Sequence, residues 1–184
     1  MITLEEARSL LRKEITENNL LKHCIAVSAI MKGLAKKLNE DELLWQITGL
    51  LHDIDYEQTK NNHAQHGLIA AEMLKEKLPS DALQAIKAHN FENTSVLPKS
   101  KIDIALIAAD SISGLIIATA LIYPSKKLEE VKVKSITKRF KKKDFARNCN
   151  REKMLYCEKL NINFPEFAEI ALNSLKKIHA ELGL

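Results

Sequence analysis

The stretch from Ile104 to Tyr123 constrains the fold of this chain more than any other. It is apolar on every side of a helix and holds one charged residue, Asp110, among Ser111, Ser113, Gly114 and Thr119. Such a segment either crosses a membrane or forms the central helix of a core. An aspartate near the middle of a span costs about 2.5–3.5 kcal/mol on insertion scales. A lone span has no partner helix to shelter it, so a buried core helix is the simpler reading and no membrane contact is expected. Asp110 then needs an explanation. A buried carboxylate is costly unless it is paired or binds metal, and no Lys or Arg lies within a helical turn of it. It either ligates a metal or bonds to serine hydroxyls or a distant histidine.

The rest of the chain reads as helices joined by polar breaks, which makes the fold all-α. Thr3-Leu4-Glu5-Glu6 is a capping box opening a helix to about Glu17. Leu20, Cys24, Val27, Ile30, Met31, Leu34, Ala35 and Leu38 keep helical spacing and predict a second helix. Asn39-Glu40-Asp41 opens a third, which runs through Leu50-Leu51 into His52-Asp53. A polar loop over 55–65 precedes a helix from about His63 to Lys77, stopped by Pro79. A short helix from Ser80 ends at His89, and Ser100-Lys101-Ile102-Asp103 resembles a second capping box before the apolar helix. After Pro124 the pattern predicts a basic connection and helices near 144–160 and 166–182, the last started by Asn163 and Pro165.

Ligand-capable residues recur in apolar surroundings along these helices. His23 lies near the start of the second helix, His66 one turn before Ile69 and Ala70, and His89 after Ala85-Ile86-Lys87-Ala88. His52 and Asp53 are adjacent. Consecutive side chains on a helix point about 100° apart, so the two converge on one ion only where the helix ends. Ile54-Asp55-Tyr56 and the polar stretch after it supply such an ending.

A histidine, a His-Asp pair and a distant aspartate, all in helical context, resemble the signature of the HD superfamily of metal-dependent phosphohydrolases. Here these are His23, His52-Asp53 and Asp110, and the resemblance covers about residues 18 to 123. It implies an HD-domain helical bundle with additional C-terminal helices, in one domain over 1–184 whose residues 124–184 form the basic connection and those helices. It also implies that His23, His52, Asp53 and Asp110 hold a first divalent transition metal. Asp53 would bridge to a second ion on His66 and His89, with His52 and Asp53 central to catalysis. Imidazole and carboxylate suit Fe, Mn, Co, Ni or Zn without choosing among them. His66-Gly67-Leu68-Ile69-Ala70-Ala71-Glu72-Met73-Leu74 fits the frame of the two-metal members, and His63 does not.

The implied activity is hydrolysis of a phosphate ester of a nucleotide or related small molecule. A dinucleoside polyphosphate or cyclic dinucleotide is the alternative substrate, and a non-catalytic nucleotide- or nucleic-acid-binding module is the alternative class. One departure matters: many two-metal members continue His-Asp-Ile-Gly-Lys, whereas this chain has Asp55-Tyr56 after Ile54. Phosphate contact must then come from elsewhere, with Lys87, Asn90, Lys134 and Lys138 as candidates. Residues 126–151 carry eleven Lys or Arg against three acids in a chain of net charge +4. That concentration suits a small anionic substrate; nucleic acid is disfavoured, and a second copy of the chain is left open as a partner. Three cysteines without a CxxC pair fit reduced thiols in a cytoplasm, and the acids at Glu5 and Glu6 do not suit a secretory leader.

Overall fold

A computed structural model describes residues 1–184, and the fold is all-helical with no β-strand. Helices α1 (Leu4–Glu14), α2 (Asn18–Leu38) and α3 (Glu42–Leu51) lead into the short α4 (Tyr56–Thr59) and α5 (Leu68–Leu74). Then come α6 (Ser80–His89), α7 (Phe91–Thr94) and the long α8 (Lys101–Leu121). The C-terminal part holds α9 (Val133–Phe140), α10 (Arg151–Met154), a 3₁₀ stretch (Leu155–Leu160), α11 (Phe164–Lys176) and α12 (His179–Leu182).

The helix starts follow the local chemistry. Thr3 Oγ1 accepts from the Glu6 amide at 3.2 Å while the Glu6 carboxylate accepts from the Thr3 amide at 2.7 Å. Ser100 and Asp103 repeat the box at α8. Asp41 caps α3 by accepting from the amides of Leu43 and Leu44, and Asn163 caps α11 with Pro165 in its first turn.

Three boundaries differ from the sequence pattern. The helix expected from His63 begins only at Leu68, because Gly67 sits at φ +87°, a left-handed conformation that cannot continue a right-handed helix. The connection after Pro124 contains α9, whose Ile136 is buried while Lys134 and Lys138 stay exposed. The helix expected near 144–160 is confined to α10 and the 3₁₀ stretch, since residues 141–149 wrap around the Arg151 guanidinium.

Helix α8 lies in the interior as its composition requires. It is the one helix long and apolar enough to cross a membrane, and 67% of its most apolar window is buried inside the fold. It packs against α2, α6 and the C-terminal helices. Two apolar cores result. The larger joins α2 and α8 to α11 around Ile30, Met31, Ile112, Leu115 and Phe167; the smaller joins α1, α3, α5 and α6 around Leu11, Leu50, Leu51, Leu74 and Ile86. Ile25 and Leu44 pack against both. His23 therefore stands on α2 at the seam between the two cores, with Cys24 in one and Ala26 in the other.

Close approach of α2 and α3 depends on Gly49. A methyl group there would come within 2.8 Å of Met31 Cγ and 3.1 Å of Ser28 Cα. Ser28 Oγ also donates to the Gln46 carbonyl at 2.8 Å, tying the two helices together nearly two turns before His52.

Candidate metal centre

Four imidazoles and two carboxylates from different parts of the chain meet at this seam. His23 Nε2 lies 3.3 Å from His52 Nε2, 3.1 Å from Asp110 Oδ1 and 3.5 Å from Asp53 Oδ2. Asp53 Oδ1 lies 3.1 Å from His52 Nε2, 3.2 Å from His66 Nε2 and 3.4 Å from His89 Nε2. His66 and His89 bring their Nε2 atoms within 3.0 Å of each other. The ligand atoms of His23, His52 and Asp110 form one compact group and those of Asp53, His66 and His89 another.

The outer ring nitrogens determine what the inner ones can do. His52 Nδ1 faces the Gly49 carbonyl at 2.9 Å and His89 Nδ1 faces the Ile86 carbonyl. A carbonyl only accepts, so each Nδ1 carries the proton and each Nε2 is left as a bare lone pair when the ring is neutral. Ser113 gives its hydroxyl proton to the Asp110 carbonyl at 2.8 Å, which leaves its oxygen to accept from His23 Nδ1 at 3.2 Å. His66 Nδ1 donates to Asp55 Oδ1 at 2.8 Å. All four imidazoles thus aim Nε2 at the same space, as metal-ligating histidines held by a partner on the far nitrogen do.

Lone pairs facing each other at these distances repel unless a cation lies between them, so the donor set fits a metal. Without one, protons take that place. Burial pushes His66 down, but its hydrogen bonds to Asp53 and Asp55 outweigh this and raise it to about 10. His23 is likewise depressed by burial but raised overall by Asp110 and Asp53. Burial acts to raise both carboxyls, yet the surrounding histidines hold Asp53 and Asp110 well below the usual carboxylate range. Burial keeps His89 below its ordinary value. The Cys24 thiol adjoins His52 and Asp53, but burial pushes its pKa well above the ordinary thiol value, so it stays neutral.

Residues 20–115 match the HD domain family. This chain belongs to that family. A ribonuclease Y from Oleidesulfovibrio alaskensis is 35% identical over 97 residues, covering 52% of this chain and 18% of that protein. Another, from Thermoanaerobacter pseudethanolicus, is 31% identical over 170 residues, which is 89% of this chain and 32% of that protein. An uncharacterized protein from Methanocaldococcus jannaschii is 30% identical over 150 residues, 76% of this chain and 85% of that protein. The HD chain therefore spans about a fifth to a third of the ribonuclease Y proteins it resembles. No solved structure matches it.

In this HD domain Asp55 is the residue whose role the sequence hid. Its carboxylate is fully buried. One oxygen accepts from His66, and the other accepts from the amides of Gly67 and Ala70 at 2.9 Å each. It therefore orients an imidazole and caps α5 at once. The neighbouring Tyr56 sets its ring edge-on to His66, with centroids 5.4 Å apart. The pair that departs from the His-Asp-Ile-Gly-Lys pattern serves His66, and only its acidity at that spacing hinted at this.

The sequence candidates for phosphate contact fall elsewhere. Asn90 is buried and donates to the carbonyls of His63 and His66 at 2.8 and 3.0 Å, so its amide braces the turn that presents His66. Lys87 is half-buried on α6, with its carbonyl accepting from Thr94, and Lys134 and Lys138 lie on the exposed side of α9. None of the four lines the cleft of about 300 Å³ that opens over His23 and Asp110. That cleft is walled instead by Ser111, Ser113 and Gly114 of α8 and by Asn148, Cys149, Asn150 and Lys153 from the C-terminal part. Cys149 Sγ seats against Gly114, where a methyl group would approach it to 2.8 Å. His63 is exposed and outside the cluster.

Proposed function

We propose that this HD-family chain is a metal-dependent phosphohydrolase, cleaving a phosphate ester of a nucleotide or related small molecule with metal-activated water. The observation that carries the reading is the inward convergence of four Nε2 lone pairs on two carboxylates, each outer nitrogen fixed by its own acceptor. His23, His52, Asp53 and Asp110 would hold one divalent transition metal, and Asp53, His66 and His89 a second. When bound, such a pair lowers the pKa of a shared water and neutralises charge on a phosphoryl group.

The chain's own residues then have separable tasks. Asp53 is shared, since its two oxygens reach all four histidines. His52 is fully buried and sets the rigid end of the site, while the partly exposed His23 and Asp110 face the cleft where a substrate enters. Ser113 holds His23 in its tautomer, Asp55 does so for His66, and Asn90 braces the turn between. We read the chain as one domain acting in the cytoplasm.

A phosphodiester in RNA is the second reading. The names of the ribonuclease Y relatives and the basic residues beside the cleft favour it. Metal analysis of the purified protein, with hydrolysis assays on mononucleotides, dinucleotides and short RNA before and after chelation, tests both. Bound transition metal and metal-restored hydrolysis are expected. Full activity in the chelated protein would remove the mechanism, and cleavage of RNA with mononucleotides untouched would select the second substrate.

A further inference from the structure

We infer that a second anion subsite, formed by Lys143 and Arg147, adjoins the candidate metal centre and selects substrates with two phosphate groups over those with one. The inference rests on the phosphohydrolase reading for what binds at the metals, and it names the substrate class. The cleft over His23 and Asp110 shares Asn148, Cys149 and Asn150 with a neighbouring cleft of about 470 Å³. The second cleft adds Lys143, Arg147, Arg151 and Glu152 to its walls. A molecule that extends from the first cleft past these three residues enters the second.

The cations around these clefts are not equivalent. Lys153, the one lysine or arginine of the first cleft, is already engaged, 2.9 Å from the Glu92 carboxylate and 5.3 Å from the centre of the Phe91 ring. Arg151 is turned into the protein. Its guanidinium donates to the carbonyls of Phe140, Lys142, Phe145, Ala146 and Cys149. These bonds fix the backbone that carries Lys143 and Arg147, and they neutralise carbonyl oxygens that would otherwise repel an anion.

Lys143 and Arg147 are exposed and form no ion pair, with Glu152 as the one acid in the same cleft. At the junction Asn150 Oδ1 caps α10 by accepting from the amides of Glu152 and Lys153, so its free group is an amide donor. A single phosphate at the metals leaves both outer cations without a counter-charge. Two phosphates on one ligand satisfy both places. A nucleoside 3′,5′-bisphosphate and a 5′-phosphorylated dinucleotide share that chemistry.

Equilibrium dialysis tests this without using turnover. Adenosine 5′-monophosphate, adenosine 3′,5′-bisphosphate and the dinucleotide pApA are each measured at low temperature, with chelator and with added manganese. With manganese bound, the wild type should prefer the bisphosphate or the dinucleotide over the monophosphate by about tenfold, with a steep salt dependence. Lys143→Ala/Arg147→Ala should lose most of that preference while binding the monophosphate within about twofold. Lys143→Arg/Arg147→Lys, which keeps the charge, should retain it. Tighter binding of pApA than of the bisphosphate identifies a strand as the source, and the reverse order identifies a small bisphosphate. In manganese, undiminished preference in the double alanine variant, or equal loss for all three ligands, overturns the subsite. Failure of manganese to tighten any ligand counts against the metal reading alone, because weaker binding of all three ligands in the chelated double alanine variant than in the chelated wild type still reads the subsite.

Discussion

The Asp55 carboxylate and the His66 imidazole form a buried hydrogen bond of 2.8 Å, eleven residues apart in the chain. The same carboxylate accepts two amides at the start of α5, so one side chain fixes both where the helix begins and which nitrogen of His66 faces Asp53.

Asp55→Ala should therefore weaken the second ion about 10–100-fold, the usual effect of losing the partner of a ligating histidine. Asp55→Asn keeps one acceptor oxygen for His66 but turns an amide donor toward Gly67 and Ala70, so it should weaken the second ion less while loosening the start of α5. Calorimetric titration of manganese into chelated protein reads both, and unchanged binding of two ions in Asp55→Ala would separate Asp55 from the metal site.

Asp53→Ala should remain helical by circular dichroism yet lose hydrolysis, since no other group touches all four histidines. Retention of more than about a tenth of the wild-type rate, a barrier change under about 1.4 kcal/mol, would show that Asp53 does not bridge.

His66→Ala should drop one ion per chain, whereas His63→Ala should keep both. His66 Nε2 lies 3.2 Å from Asp53, and His63 is exposed. Elemental analysis after desalting decides it, and the opposite stoichiometry would exchange their roles.

The pH dependence has a definite sign. His66 rises from an ordinary value of 6.5 to about 10 in the metal-free fold. A raised folded pKa contributes stability that is fully present below the unfolded value and is lost as pH climbs through the folded one. His23, also raised, acts in the same direction. Chelated protein should lose melting temperature between about pH 6.5 and 10, while metal-loaded protein, with a cation in place of those protons, should lose less. Metal affinity should rise over the same interval. A gap between loaded and chelated melting temperatures that narrows with pH would contradict the proton-for-metal exchange.

Gly49→Ala should destabilise the fold by about 1–3 kcal/mol, because the added methyl meets both Met31 and the Ser28 backbone of α2. Urea denaturation measures it. Stabilisation, as helix propensity alone would favour, would mean that α2 and α3 can separate without cost.

Much of this was legible in the sequence, because helical periodicity and capping are local. Thr3 with Glu6 and Ser100 with Asp103 form their boxes from neighbouring atoms, and Ile104–Tyr123 could be covered only by other helices. The carboxylate at Asp110 with no cation nearby in sequence called for a metal or for a polar partner from elsewhere, and the structure puts His23 and His52 beside it. What the sequence left undetermined depends on groups brought together from afar. Asp55 looked like a departure from a pattern until its distance to His66 and to the amides of α5 was known. Lys134 and Lys138 had the right charge, but their places on α9 turn them away from the cleft, while the five carbonyls around Arg151 bring Lys143 and Arg147 beside it. A side chain's type is written in the chain, but what it faces is decided only when helices pack.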